Sequence, residues 1–285
     1  MNIGIIGLGL MGGSLGKAII KNTEHKVFGY DKNPETLIKA ELVGAVSARM
    51  SEDNQNDLDI LIVALNPRNF YEAVITRADK LKKGCIVIDI AGNKASIIAD
   101  MVKLSEEFPH LVFVSTHPMA GREFYGISHA TAGLFEKSSV ILVPVTYDIA
   151  AMHTVKKLYL SIGADEVVVS NAAEHDRIIA GTSQLAHIIS SSYVTIPSAN
   201  EFSGFSAGSF RDLSRVAKMN APMWSELVFD NRKNIMNELT AFTDRLEEFK
   251  SALQNGEEKT LLKLFEEGNR KKEELDKANR ERKAK

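Results

Sequence analysis

The chain has 285 residues, of which 44% are apolar, 25% charged and 7% aromatic. Thirty-five Lys and Arg against 37 Asp and Glu leave a formal charge of −2. That balance lacks the cationic excess that attracts phosphate backbones or anionic lipid, which argues against a dedicated nucleic-acid or membrane-surface role. The lone cysteine can form neither an internal disulfide nor a cysteine-rich metal site, which fits a reducing cytoplasm.

Residues 1–20 carry one charge, Lys17, and mimic a signal peptide or membrane span. No basic segment precedes the apolar run, and Gly4, Gly7, Gly9, Gly12, Gly13 and Gly16 interrupt it, so a strand, a glycine turn and a helix describe it better. Asn2 to Ile6 reads as a buried parallel strand, Gly7 to Gly12 as the turn, and Gly13 onward as the helix. Gly7, Gly9 and Gly12 spell G-x-G-x-x-G. The first glycine permits the tight turn, the second lets backbone approach a pyrophosphate, and the third lets the helix pack on the strand. A second strand, Lys26 to Tyr30, ends at Asp31, 19 positions past Gly12, where a carboxylate would bond ribose hydroxyls and repel a 2′-phosphate. NAD is therefore the expected cofactor. Its expected contacts are Gly7, Leu8, Gly9, Leu10, Met11, Gly12 and Asp31, with Ala64 and Leu65 at the end of a third apolar run.

Pro34 suits the first turn of a helix reaching Leu42. Further strands are expected at Leu58 to Leu65, Cys85 to Ile90, Leu111 to Ser115, Val140 to Val143 and Glu166 to Val169. Helices are expected at Phe70 to Leu81, Ser96 to Glu107 and Ile149 to Ile162. The alternation implies a doubly wound, Rossmann-type parallel sheet over residues 1–168. Beyond it, over 169–285, an all-α domain is expected: a long buried helix from Ala172 to Val194, a loop from Asn200 to Ser209, and amphipathic helices from Ala221 to Leu253 and from Glu257, broken near Gly256. So small a helical unit has little core of its own, and a second copy is the natural cover, giving a homodimer. No third, regulatory domain is expected in this length. The terminal run Arg270 to Lys285, eight basic and four acidic residues, reads as a solvated helix end.

Substrate is expected at the carboxyl ends of the strands. There, Thr116 to Glu123 places His117 just past a strand, fixed by Pro118, where an imidazole can serve as base or hydrogen-bond partner near a nicotinamide. His25, His110, His129 and His153 are expected in surface roles. On the long helix, Ser183 and His187 fall within about 20° of Asp176 at 100° per residue, a polar stripe on an apolar helix. Cys85 reads as a buried inert thiol, and Met50 and Met101 as exposed.

The chain resembles the prephenate and arogenate dehydrogenases of tyrosine biosynthesis. The segments that carry the resemblance are GLGLMGGSLG (7–16), DIAGNK (89–94), HPMAGRE (117–123), AEHD (173–176), SQLAH (183–187) and GSFRDLSRVA with Pro222-Met223-Trp224 behind it (208–224). The resemblance implies NAD-dependent oxidative decarboxylation of prephenate to 4-hydroxyphenylpyruvate: hydride leaves C4, CO2 leaves C1, and the ring becomes a phenol, with no metal required. His117 would be the catalytic residue, accepting a hydrogen bond from the 4-hydroxyl as a neutral imidazole. Arg215 would anchor the side-chain carboxylate, with Gly208 and Trp224 lining the pocket, His187 and Gln184 near the substrate side chain, and Glu123 gating or ordering the site.

Three departures from the family pattern bear on substrate preference. Gly92 and Asn93 stand where many members have a serine turn, Gln184 where several have histidine, and Arg122 at a position often small or polar. Arogenate is the alternative substrate, and a non-catalytic NAD-sensing dimer the alternative of another class. A β-hydroxyacid dehydrogenase, which GLGLMG also fits, would need a lysine on the long helix, and Ala172 to Val194 contains none.

Overall fold

A computed structural model describes residues 1–283. Eight strands form one sheet in the order β3-β2-β1-β4-β5-β6-β7-β8. They are β1 (Asn2–Ile6), β2 (Lys26–Tyr30), β3 (Ala48–Arg49), β4 (Ile60–Val63), β5 (Ile86–Asp89), β6 (Val112–Pro118), β7 (Ser139–Pro144) and β8 (Glu166–Val169). Strands β1 to β6 pair in parallel, β7 runs antiparallel to β6, and β8 is parallel to β7. Helices α1 (Leu10–Asn22), α2 (Pro34–Leu42), α3 (Phe70–Ile75), α4 (Ala95–Glu107) and α5 (Ile149–Ser161) connect them. Ile3, Ile5, Ile60, Ile62, Ile86 and Ile88 fill one side of the sheet with Leu15 and Ile19 of α1, while Leu61, Val63, Val87, Phe70 and Leu104 fill the other. Strands buried on both faces explain the continuous apolar runs of the sequence. The expected N-terminal Rossmann-type fold is the one found.

Within the sheet domain, several expectations change. Helix α1 starts at Leu10 rather than Gly13, because Gly9 serves as its N-cap and its carbonyl accepts from Gly13 N at 2.9 Å. Strand β6 continues to Pro118, since antiparallel pairing with β7 sets His117 opposite Ile141, so His117 lies within a strand rather than beyond one. The expected helix at 70–81 is α3 followed by a 3-10 turn, Ala78–Lys80. Met101 is fully buried against the sheet, whereas Met50 is half-buried.

The remainder is helical: α6 (Ala172–Ile179), α7 (Leu185–Val194), α8 (Gly208–Ser214), α9 (Ala221–Asp230), α10 (Arg232–Gln254) and α11 (Glu258–Lys283). A π segment, Ala180–Gln184, joins α6 to α7, at a run where Gly181, Thr182 and Ser183 are weak helix formers. Gly256, at φ 66°, breaks α10 from α11 as expected, and Asn231 adds a break between α9 and α10. Contacts divide the chain into one unit spanning Met1–Arg232 and a second from Lys233 onward. In the second unit Phe249 packs edge-on against Phe265 at 5.3 Å, and Arg245 bridges to Glu267 at 2.7 Å. The charged run from Arg270 is helical to Lys283, with pairs such as Arg270 to Glu274 along its surface; its last two residues lie outside the described residues. No helix among the described residues is long and apolar enough to cross a membrane.

Candidate active site

The glycine turn is shaped by backbone alone. Gly7 has φ 89°, open to glycine at little cost, and a Cβ there would also sit 2.5 Å from the Ala64 carbonyl oxygen. A Cβ on Gly12 would lie 1.9 Å from the Gly7 carbonyl oxygen, so only glycine lets α1 pack this close to the strand. Gly9 differs: a Cβ there meets nothing within 4 Å, leaving open space before a helix start that no side chain caps. Uncapped first-turn amides facing open space suit an anion, and the diphosphate of NAD fits that description. Asp31, at the end of β2, accepts from Leu8 N at 2.8 Å and from Asn33 N at 2.9 Å, which fixes its carboxylate beside the turn. Leu8 itself is fully buried, so its side chain belongs to the core. Leu10 is buried too, Met11 and Leu65 half-buried, and Ala64 packs beneath the turn with its amide bonded to Ile6 O at 2.8 Å.

At the far end of the parallel run lies a buried polar cluster. Asp89 ends β5; its Oδ1 accepts from Ser115 Oγ at 2.6 Å and its Oδ2 from Lys94 Nζ at 2.5 Å. The Lys94 ammonium is fully buried and also donates to the Thr116 carbonyl at 2.7 Å. Burial draws the pKa of Lys94 below its ordinary value against the pull of Asp89 and Asp176. Tyr159 closes the cluster, its hydroxyl 2.7 Å from Thr116 Oγ1.

His117 is half-buried beside this cluster, and its Nδ1 lies 2.9 Å from His175 Nε2. His175 Nδ1 in turn lies 2.7 Å from Asp176 Oδ1. Asp176 also accepts from the Lys94 and Ala95 amides, at 2.8 and 2.9 Å, capping the start of α4 from a different helix. Desolvation, the Lys94 cation and His175 together hold the His117 pKa well below the usual histidine value, so its ring is neutral at neutral pH. Among the described residues no protein group bonds its Nε2.

A second group forms around α7. His187 stacks on Trp224 with centroids 3.6 Å apart, and its Nδ1 donates to the Ser183 carbonyl at 2.9 Å. Desolvation lowers the His187 pKa, with Arg215 lowering it further and Glu123 opposing. Arg215 pairs with Glu123 while its side chain remains 62% exposed, enough to be reached by a ligand. Arg122 lies over the Phe124 ring at 5.4 Å, and Gly208 begins α8.

The structure thus brings His187, Trp224, Arg215 and Glu123 together. It splits the expected stripe on the long helix, because the π segment breaks the 100° phase. Asp176 serves the start of α4, and His187 faces Trp224. Gln184 is 2% exposed with both amide ends engaged: Nε2 donates to Asn93 Oδ1 at 2.7 Å and Oε1 accepts from Asn231 at 2.6 Å. Sequence reasoning gave no role to His175, Lys94 or Asp89. All three sit inside segments that carry the resemblance, but no spacing rule joins His117 to a residue 58 positions away.

A doubly wound sheet, a glycine turn opening a helix, an acidic residue ending β2 and a neutral imidazole on β6 define a dinucleotide-binding α/β protein of the dehydrogenase type. The family pattern described as prephenate dehydrogenase, nucleotide-binding domain, matches residues 15–168, and that described as prephenate dehydrogenase, dimerization domain, matches 171–267. The chain belongs to the prephenate dehydrogenase family. It is 28% identical to the cyclohexadienyl dehydrogenase of Zymomonas mobilis, covering 93% of both chains. It is 27% identical to the prephenate dehydrogenase of Bacillus subtilis, over 92% of this chain and 72% of that one. The solved prephenate dehydrogenase from A. aeolicus, in complex with hydroxyphenyl propionate and NAD+, superimposes with TM-score 0.84 at 27% identity, covering 96% of this chain and 98% of that one. The glycine turn lies just ahead of the matched residues, so its assignment stands on its geometry.

Proposed function

We propose that the chain catalyses NAD-dependent oxidative decarboxylation of prephenate to 4-hydroxyphenylpyruvate, as a cytoplasmic homodimer associating through its helical half. The observation that carries this is His117: a neutral imidazole on the sheet, tied at Nδ1 and, among the described residues, without a protein partner at Nε2. Bound NAD supplies the hydride acceptor. The protein's own contribution begins at the turn, where Gly9 leaves room for a diphosphate and Asp31 offers its carboxylate to a ribose. Nε2 of His117 accepts a hydrogen bond from the 4-hydroxyl, so that positive charge growing on that oxygen as hydride departs meets a lone pair. Arg215 takes the side-chain carboxylate through its exposed face while keeping its contact with Glu123, and Trp224 and His187 form an aromatic wall beside it. The leaving carboxylate needs no tight partner, because a strong ground-state ion pair would oppose loss of CO2.

One observation favours prephenate over arogenate and one opposes it. An ammonium in place of the keto group calls for a carboxylate, and Glu123 is already bound to Arg215. His187, however, donates from Nδ1 to Ser183 O, so its neutral ring offers an acceptor at Nε2 that suits an ammonium. The deciding measurement is NADH formation with each substrate. A kcat/KM higher for prephenate supports the first choice, and a strong preference for arogenate replaces it. Binding of NADH with no reduction of NAD by either substrate would leave an NAD-sensing dimer.

A further inference from the structure

Acceptor chemistry at His117 Nε2 requires the ring proton on Nδ1, yet a free imidazole in water distributes its proton over both nitrogens. Hydrogen bonds decide the matter here. Asp176 is 4% exposed. Burial opposes its charge, but the bonds it accepts from His175 and from the Ala95 and Lys94 amides outweigh burial and hold its carboxyl below the ordinary range. An ionised carboxylate only accepts, so the 2.7 Å contact places a proton on His175 Nδ1. In neutral His175, Nε2 then carries a lone pair, and the 2.9 Å contact to His117 is completed by a proton on His117 Nδ1. A second proton on His175 would reverse this bond and move the His117 proton to Nε2, the form that cannot accept.

We propose that His175 and Asp176 are positioning residues that lock His117 in the Nδ1–H tautomer and thereby make Nε2 the hydrogen-bond acceptor for the substrate hydroxyl. The proposal rests on the dehydrogenase reading above and deepens it. As hydride leaves, positive charge shared with His117 is drawn toward Asp176 through two hydrogen bonds. No net proton transfer is needed, because the hydroxyl proton is retained by the phenol. The same carboxylate caps α4, which carries Lys94 at its N-cap, so the element that supplies the cation beside His117 and the relay that sets its tautomer are fixed by one side chain.

The test is nitrogen NMR on the full chain labelled in histidine, with the His117 resonances assigned by their loss in His117→Asn. The expected wild-type spectrum shows His117 protonated at Nδ1. Asp176→Asn, which can turn its amide N–H toward His175, should shift that proton to Nε2 and lower kcat by about 100-fold with KM little changed, a typical loss for a misplaced acid–base group. His175→Gln keeps an acceptor oxygen near the position of Nε2 and should retain at least about tenfold more kcat than His175→Leu, within the range that hydrogen-bonded supporting residues contribute. Thermal melts identify any variant that fails to fold; if Asp176→Asn does, the Gln-against-Leu comparison carries the kinetic test. A wild-type His117 protonated on Nε2, an unchanged kcat in folded Asp176→Asn, or equal losses in folded His175→Gln and His175→Leu would overturn the relay. If the wild type oxidises neither substrate, the functional reading fails, while the nitrogen shifts alone decide the tautomer.

Discussion

Two regions at the carboxyl edge of the sheet are built from opposite materials. The glycine turn over residues 7–12 offers backbone: its selectivity lies in the absence of side chains, and it holds the Asp31 carboxylate by a short bond from Leu8 N. The cluster formed by Asp89, Lys94, His117, His175 and Asp176 offers side chains, all but His117 almost fully buried, with Asp89 bonded to Lys94, and His117 to His175 and through it to Asp176. A ligand anion can be gripped by amides that any sequence possesses, provided nothing obstructs them. A proton acceptor of defined tautomer cannot, and it needs partners packed out of water, where each unmet bond is costly.

Substitutions in the two regions should therefore fail in different ways. The largest effect is expected for His117→Asn, with kcat lower by about 100- to 10,000-fold and KM nearly unchanged, whereas Arg215→Ala should mainly raise KM. Steady-state kinetics with both substrates separate the two, and a large KM effect for His117→Asn would move it out of the chemical step. Since burial, Lys94 and His175 depress the pKa of His117, and the proposed mechanism uses the neutral ring, kcat/KM should stay level as pH falls through 6.5 and decline only in more acidic solution. Next in size, Lys94→Met leaves Asp89 charged and buried without its cation. It should cost about 3–5 kcal/mol in denaturant unfolding, while a loss under 1 kcal/mol would show that Asp89 takes a proton instead.

A smaller effect is expected in the turn. Gly9→Ala should leave the melting temperature unchanged, because nothing stands within 4 Å of the new methyl, yet weaken NADH by about 1–3 kcal/mol, the usual cost of overpacking. Equal NADH affinity in a calorimetric titration would remove the diphosphate from that position. The smallest is Gly92→Ser. A Cβ there meets only Leu227, at 3.5 Å, so stability should change by no more than about 0.5 kcal/mol. If the added hydroxyl alters kcat, a serine at this position acts on the chemistry; if not, the His175 contact suffices.

What was legible in the sequence follows the same division. Strands β1, β2 and β8 and helix α2 lie where the residue pattern puts them, since an apolar run bounded by glycine, proline or a charge is a local signal. The glycine turn was legible because its spacing is its mechanism. His117 was legible as a residue but not in its setting: a strand two or three residues longer, made so by antiparallel β7, carries it. The polar stripe on the long helix was misjudged because regular 100° steps do not survive a π segment. Gln184, expected near the substrate, is engaged by Asn93 and Asn231, partners 91 and 47 positions away in the chain.

The sequence by itself determined the doubly wound class and the dinucleotide turn with its acidic partner, because each is written in neighbouring residues, and its resemblance to a known family put His117 and Arg215 forward as candidates for the chemistry. Only the tertiary structure decided which nitrogen of His117 is tied, that Lys94 is buried against Asp89, and that Arg215 meets Glu123. Those contacts join residues far apart in the chain, and their geometry is set by how β5, β6, α4 and α6 pack, which no local pattern records.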